Sequence, residues 1–153
     1  MGNTKPLDMG VDIGVLASWL AGYDHDNLTI GVVASHSSLQ ILHGAKKEGL
    51  RTLGIAVGEN RRRFYKAFPG AEPDEWLMLE NYREMLDYAD WFRERNVIII
   101  PHGSLVEYLG ATNYKNLQVP TFGNRGILNW ESSRHKQRIW LEDGGCDMPK
   151  VLE

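Results

Sequence analysis

The feature that most constrains the fold is an alternation of short, branched apolar runs with longer segments of helical periodicity. This alternation is typical of a parallel sheet flanked by helices, because a crossover between parallel strands needs a long connection. The predicted strands are Leu28–Val33, Arg51–Val57, Glu75–Leu79, Val97–Ile100 and a last candidate at Gln118–Phe122. The predicted helices are 11–22, Ser37–Glu48, Asn60–Phe68, Asn81–Arg95, a short one from Gly103 to near Gly110, and Ser132–Asp143. We therefore predict a leading helix within residues 1–22 and one α/β domain over 23–153.

Composition narrows the classes of partner. The 153 residues carry 17 basic and 20 acidic side chains, which gives no reason to expect a nucleic-acid partner. The single cysteine, Cys146, excludes an internal disulfide and favours a reducing compartment. No apolar run approaches the ~20 residues of a membrane span, so we predict a cytoplasmic protein without a membrane partner. Arg61–Arg63 is the one basic run, and a run this short predicts a solvated helix face.

Two polar clusters follow predicted strands. Ser35-His36-Ser37-Ser38 comes after the first strand, and Pro101-His102-Gly103-Ser104 comes after the fourth. In the common strand order 3-2-1-4, these two strands are neighbours at the switch point where ligands bind. Each cluster also opens a helix, whose first-turn amides and dipole favour an anion such as a phosphate. The two clusters together predict one anion-binding crevice.

Each of these residues, taken alone, could also have a purely structural role. A serine before a helix often caps it, and a lone histidine at a strand end is often structural. A third cluster at residues 121–125 is equally open. There Arg125 would clamp a phosphate and Asn124 would orient a polar ring, or the segment is a turn with an exposed arginine. Residues 130–133 favour a structural role.

Other signals are weak or missing. Asp24-His25-Asp26 has no partner at ligand spacing and predicts a solvated loop. No Gly-x-Gly-x-x-Gly motif, Walker-type loop or Gly-x-Ser-x-Gly elbow occurs. We therefore predict no catalytic residue and no metal ligand in this chain.

Several blocks in series resemble the PurP family, the archaeal formate-dependent FAICAR synthetases. They are residues 26–30 (DNLTI), 35–46 (SHSSLQILHGAK), 99–104 (IIPHGS), 122–125 (FGNR) and 130–131 (WE). The resemblance runs from about Tyr23 to Pro149. It implies that residues 23–153 form the Rossmann-like, three-layer pre-ATP-grasp domain of an ATP-grasp ligase, with the ATP-grasp domains absent from this chain.

The reaction implied by the resemblance joins formate to AICAR in inosinate synthesis, with cleavage of ATP. His36 and Ser104 match the family's AICAR contacts, with Ser35, Ser37, His102, Gly103, Asn124 and Arg125 as further candidates. ATP and Mg (or Mn) are expected for the complete enzyme and not for this chain alone. The implied partners are AICAR, formate, the missing ATP-grasp domains in cis or in trans, and a homo-oligomeric copy of the chain.

Three positions depart from the family pattern. Ala34 stands where glycine is usual, and Gly126 and Asn129 stand where basic residues are common. The two changes near Arg125 lower the local positive charge and leave open a shifted ligand preference. Two hypotheses follow: the AICAR-binding part of a ligase, inactive alone, or a stand-alone purine-ribonucleotide-binding paralogue or subunit. We expect the carboxyl end to be a truncation, and the end of the sequence does not distinguish the two hypotheses.

Overall fold

The computed structural model describes residues 10–150. The strands are β1 (Thr29–Val33), β2 (Arg51–Val57), β3 (Glu75–Leu79) and β4 (Val97–Ile99). The helices are α1 (Ile13–Ala21), α2 (Ser38–Lys47), α3 (Glu59–Tyr65), α4 (Ala89–Glu94), α5 (Gly103–Leu109), α6 (Ala111–Asn116), α7 (Ile127–Glu131) and α8 (Arg134–Asp143). Two 3-10 turns lie at His25–Asn27 and Tyr82–Leu86. The outer limits of the predicted domains, residues 1 and 153, lie outside the described residues.

The four strands form one parallel sheet in the order β3-β2-β1-β4, which confirms the predicted order. Gly31 in the middle of β1 pairs with Ile99 of β4. A Cβ atom at Gly31 would lie 2.7 Å from Val97 Cγ1 and 2.8 Å from Ile99 Cδ1. The side chains of β4 therefore occupy the space beside β1 that only a glycine leaves open.

Helices cover both faces of the sheet, which confirms the α/β class and its three layers. Strand residues alternate between two cores, as the pleat requires, so that Val33 faces one core and Val32 faces the other. On the first face, Phe92 of α4, Leu105 of α5 and Tyr114 of α6 complete the larger core. On the second face, Leu42 of α2 and Tyr65 of α3 complete the smaller one.

The prediction of one continuous helix over Asn81–Arg95 is wrong, because the segment forms a 3-10 turn followed by α4. Asn81 and Glu84 form a capping box that begins the 3-10 turn. The Asp87 N–H donates to Glu84 O at 2.9 Å, three residues back, and Tyr88 then leaves helical geometry with ψ near 12°. The helical periodicity belongs to two short pieces because the tighter turn separates them.

The strand predicted at Gln118–Phe122 is reduced to one bridge, between Ile99 and Thr121. The Ile99 N–H donates to Pro120 O at 3.0 Å, and the Phe122 N–H donates to Ile99 O at 2.9 Å. The main-chain carbonyls of Leu117 and Val119 accept hydrogen bonds from the Arg125 side chain and not from a neighbouring strand. Helices α6 and α7 were not predicted.

The predicted last helix begins later than expected, at Arg134, with Ser133 as its N-cap. Trp130 precedes it on α7 and is half-buried, in keeping with the structural role expected for that segment. None of the helices within residues 10–150 combines the length and apolar composition that crossing a membrane would require.

Candidate functional site

At the carboxyl edge of the sheet, a hydrogen bond joins the second polar cluster to the end of β1, two residues before the first cluster begins. His102 Nε2 lies 2.9 Å from Val33 O, and the nitrogen donates because a carbonyl oxygen only accepts. Val33 is the last residue of β1, and His102 is the N-cap residue of α5. The second loop is therefore bonded to the strand end from which the first loop starts, so the two loops begin side by side, as the strand order predicts.

His102 is held in a neutral form. Burial lowers the pKa of the imidazole, the nearby His36 lowers it further, and the bond to Val33 opposes both. The proton then resides on Nε2, and Nδ1 keeps its lone pair. Nδ1 is buried and has no hydrogen-bond partner within the described part of the chain. His102 thus contributes an acceptor, not a positive charge, to this edge.

Two serines of the first cluster belong to an internal network. The Ser35 N–H donates to Ser38 Oγ at 2.9 Å, and Ser38 Oγ–H donates to Ser35 O at 2.8 Å. Tyr65 Oη–H also donates to Ser35 O, at 2.7 Å, and contacts Ser38 Oγ. Burial raises the pKa of the Tyr65 hydroxyl. For Ser35 and Ser38 the structural reading is therefore the one the geometry supports.

The remaining polar side chains of the two clusters make no hydrogen bond within residues 10–150. Ser37 is the N-cap residue of α2, yet its hydroxyl makes no capping bond. Ser104 lies in the first turn of α5 and is 7% exposed, and within residues 10–150 no protein group bonds either hydroxyl. His36 is exposed, and a Cβ atom at Gly103 would meet nothing within 4 Å. His36, Ser37 and Gly103 are accessible at the surface, and the Ser104 hydroxyl is unpaired but largely buried.

Two cavities open at this edge. The first has a volume of about 430 Å³ and is lined by Pro101, His102, Gly103, Val106, Leu128, Glu131 and Ser132. The second has a volume of about 290 Å³ and is lined by Ser35, His36, Asn60, Arg61, Phe64 and Tyr65. The predicted crevice thus has a side beside α5 and α7 and a side beside α3. Glu131, Asn60 and Arg61 were not among the predicted site residues.

The third cluster is divided. Asn124 is exposed, and its Oδ1 accepts the Gly126 N–H at 2.9 Å, which forms a local turn. Arg125 is only 2% exposed, and its guanidinium donates to the main-chain carbonyls of Leu117 and Val119. Burial lowers the pKa of this guanidinium. Neither the exposed arginine of the turn reading nor a phosphate clamp by Arg125 has support in this geometry.

The basic run Arg61–Arg63 is divided in the same way. Arg62 and Arg63 are exposed, as predicted, but Arg61 is half-buried. Its Nη2 donates to Tyr108 Oη at 2.9 Å, and its Cζ lies 5.2 Å from the centre of the Tyr108 ring. The only sequence signal for this role is the position of Arg61, four residues after the end of β2.

A family model described as "Protein of unknown function (DUF1246)" matches residues 30–152 of the chain. This match covers the sheet except for Thr29, both polar clusters and α8.

Curated relatives include a 5-formaminoimidazole-4-carboxamide-1-(beta)-D-ribofuranosyl 5'-monophosphate synthetase 1 from Methanosarcina mazei. It is 55% identical over 135 residues, which are 88% of this chain and 38% of the relative. A synthetase with the same name apart from the number, from Methanothrix thermoacetophila, is 56% identical over 134 residues, which are 88% of this chain and 37% of the relative. The chain therefore spans less than two fifths of the length of these relatives.

A solved structure, described as an IMP biosynthesis protein PurP from Thermococcus kodakaraensis, has the same arrangement. It aligns with a TM-score of 0.67 and 37% identity, and covers 81% of this chain and 39% of its own. The sequence resemblance, the matched relatives and the shared fold agree. The chain belongs to the DUF1246 family, and its predicted resemblance to the PurP-type FAICAR synthetases is confirmed.

Proposed function

We propose that this chain is the AICAR-binding part of a ligase that formylates AICAR to FAICAR with formate and ATP. The observation that carries the proposal is the His102–Val33 hydrogen bond, which ties the second polar loop to the strand end from which the first polar loop starts, at the switch point of the sheet. The loops lie within the 135 residues that are 55% identical to a FAICAR synthetase. A chain with this likeness and this crevice is suited to hold the acceptor substrate of that reaction.

His36 and Ser104 are the proposed substrate contacts, one from each loop. The exposed imidazole of His36 donates or accepts hydrogen bonds, and the unpaired hydroxyl of Ser104 does the same from the first turn of α5. Gly103 leaves space for the ligand to approach the backbone. Ser37 and His102 are further polar groups that could contact the ligand. Ser35 stabilises the loop, because its hydroxyl accepts the Ser37 N–H.

Positioning is the contribution we assign to this chain. The 5-amino group of AICAR is a poor nucleophile, so the two reacting partners gain much from being held in register. ATP, when bound in the complete enzyme, would activate formate for this attack. Within residues 10–150 no three His, Cys, Asp or Glu side chains are grouped to hold a metal ion. We propose that ATP and Mg (or Mn) belong to the complete enzyme, as the resemblance implies.

Calorimetric titration with AICAR tests the proposal. We expect the wild-type chain to bind, and His36→Ala and Ser104→Ala each to bind about tenfold or more weakly, since each removes a polar ligand contact. His25→Ala and Ser18→Ala are matched controls, because both residues are exposed and neither lies in the crevice. Equal affinity in the wild type and all four variants would contradict the assignment of His36 and Ser104.

A second candidate is a binding paralogue or subunit without catalysis, and the two departures near Arg125 favour it. Gly126 and Asn129 stand where the resembled family is commonly basic. Lys136 Nζ donates to Asn129 Oδ1 at 3.2 Å, so one positive charge lies beside this position. AICAR, formate and ATP incubated with this chain and the remaining part of the Methanosarcina mazei enzyme would distinguish the two. FAICAR formation supports the ligase part, and binding without product supports the paralogue.

A further inference from the structure

We propose that Arg61 is the phosphate-binding residue of this site, in the cavity that it shares with His36. This inference rests on the proposed function and deepens it, because it assigns the phosphate monoester of the ribonucleotide to the α3 side of the crevice. From the sequence alone, Arg125 is open as a phosphate clamp. The contacts of the two arginines favour the other one.

The cavity has the chemistry of an anion site. Its volume is about 290 Å³, and its lining combines Arg61, His36 and Asn60 with the Phe64 ring and the Ser35–Tyr65 pair. None of these lining residues is acidic. A phosphate placed there would meet a permanent guanidinium charge, an amide and an imidazole without a competing carboxylate.

Arg61 is held in place by aromatic groups, which leave most of its donors unused. One Nη2–H bonds Tyr108 Oη at 2.9 Å, and the guanidinium carbon lies 5.2 Å from the Tyr108 ring centre. Tyr108 in turn stacks on Tyr82, with ring centres 5.0 Å apart and planes 14° apart. A guanidinium has five N–H groups in a planar fork, so four remain for a phosphate after the bond to tyrosine.

The neighbouring arginines do not share this arrangement. Arg62 is exposed and lies 3.7 Å from the carboxylate of Glu59 on its own helix. Arg63 is exposed, and its side chain makes no hydrogen bond or ion pair within the described chain. Arg61 has no carboxylate partner among residues 10–150, so its charge is neutralised by no protein group. A half-buried, unneutralised and pre-positioned arginine at a ligand crevice is suited to an anionic ligand.

The position of Arg61 links it to both loops. It belongs to α3, which packs on one face of the sheet, and it contacts Tyr108 of α5, which packs on the other face. α3 begins directly after the carboxyl end of β2, next to β1. A phosphate at Arg61 would leave the sugar and base to extend along the carboxyl edge toward Ser104 and His102.

Titration with three ligands tests this assignment: AICAR, its riboside without phosphate, and ribose 5-phosphate. Arg61→Gln is compared with the wild type and with Arg63→Gln, an exposed arginine on the same helix. We expect Arg61→Gln to bind AICAR about 10- to 100-fold more weakly, close to the affinity for the riboside, since charged hydrogen bonds are lost. Binding of the riboside should be unchanged, and Arg63→Gln should resemble the wild type. Circular dichroism confirms that each variant is folded.

Each other outcome is decisive. If Arg61→Gln binds AICAR as the wild type does, or loses riboside affinity to the same extent, the phosphate assignment is wrong while the proposed function stands. If the wild type binds ribose 5-phosphate through Arg61 but not AICAR, the proposed function is wrong and the phosphate subsite stands. If the wild type binds neither phosphorylated ligand, both are wrong. Tyr108→Phe, which removes the bond to Arg61, should weaken AICAR binding less than Arg61→Gln does.

Discussion

Arg61 and Arg125 differ in how the fold uses an arginine side chain. Arg125 is 2% exposed and gives its donors to main-chain carbonyls of the segment before it. Arg61 is half-buried, rests on Tyr108 and keeps most of its donors unused. The first arginine holds the 115–119 segment together, and the second faces a cavity. The number of internal acceptors, more than the sequence motif, separates a structural arginine from a ligand-binding one.

The largest effect is expected from Arg125→Met. This change leaves the carbonyls of Leu117 and Val119 buried without their donor, so we expect the free energy of unfolding to fall by about 3–5 kcal/mol. Urea unfolding measures it. The matched variant Arg61→Met should lose only about 0.5–1 kcal/mol, since one hydrogen bond and a partly exposed cation–π contact are removed. Similar losses in both variants would remove the distinction between the two arginines.

The same distinction exists between neighbouring serines, with a smaller expected effect. Ser38 Oγ bonds both Ser35 main-chain groups, so Ser38→Ala should lower the free energy of unfolding by about 1–3 kcal/mol. Ser37→Ala should change it by less than about 0.5 kcal/mol, because the Ser37 hydroxyl makes no capping bond. Thermal unfolding of the two variants checks this, and a larger loss in Ser37→Ala would contradict it.

The smallest effect concerns the pH dependence of stability through His102. Burial lowers the pKa of His102 in the folded protein from 6.5, whereas the unfolded chain keeps the ordinary value. The unfolded state therefore binds more protons as the pH falls below about 6.5, and folding stability decreases there. We expect His102→Gln to reduce the slope of stability against pH between about 7 and 5 by up to about 1 kcal/mol per pH unit.

Unfolding at several pH values gives this slope. His25→Gln is the control, because His25 is exposed and lies away from the carboxyl edge of the sheet. An unchanged slope in His102→Gln would show that the imidazole is not held neutral by the fold.

The sheet could be predicted from sequence because its signals are local. The bounds of β2 and β3 agree with the predicted strands, and the branched run before Pro101 identifies β4. The order of the strands followed from the common topology of such folds. That order places the two polar loops side by side, and the His102–Val33 bond agrees with it.

The roles of the two arginines could not be predicted, because they depend on distant parts of the chain. Tyr108 lies 47 residues after Arg61, and a basic run by itself gives no sign that one member rests on an aromatic ring. The acceptors of Arg125 are carbonyls, which every residue possesses, so only the path of residues 115–119 reveals them. The failure of the Gln118–Phe122 strand has the same origin, since these carbonyls are engaged by a side chain.

Because Gly31 has no side chain, the packing of the core at this position is coupled to the proposed ligand site. Val97 and Ile99 lean into its place, and they share one core with Leu105, the residue after Ser104. A methyl group at Gly31 would crowd these side chains, and the core that they share with Leu105 would have to shift next to the serine proposed to contact the ligand. Mutations selected for altered ligand preference would therefore be expected at interior positions of β1 and β4, beyond the reach of any bound molecule.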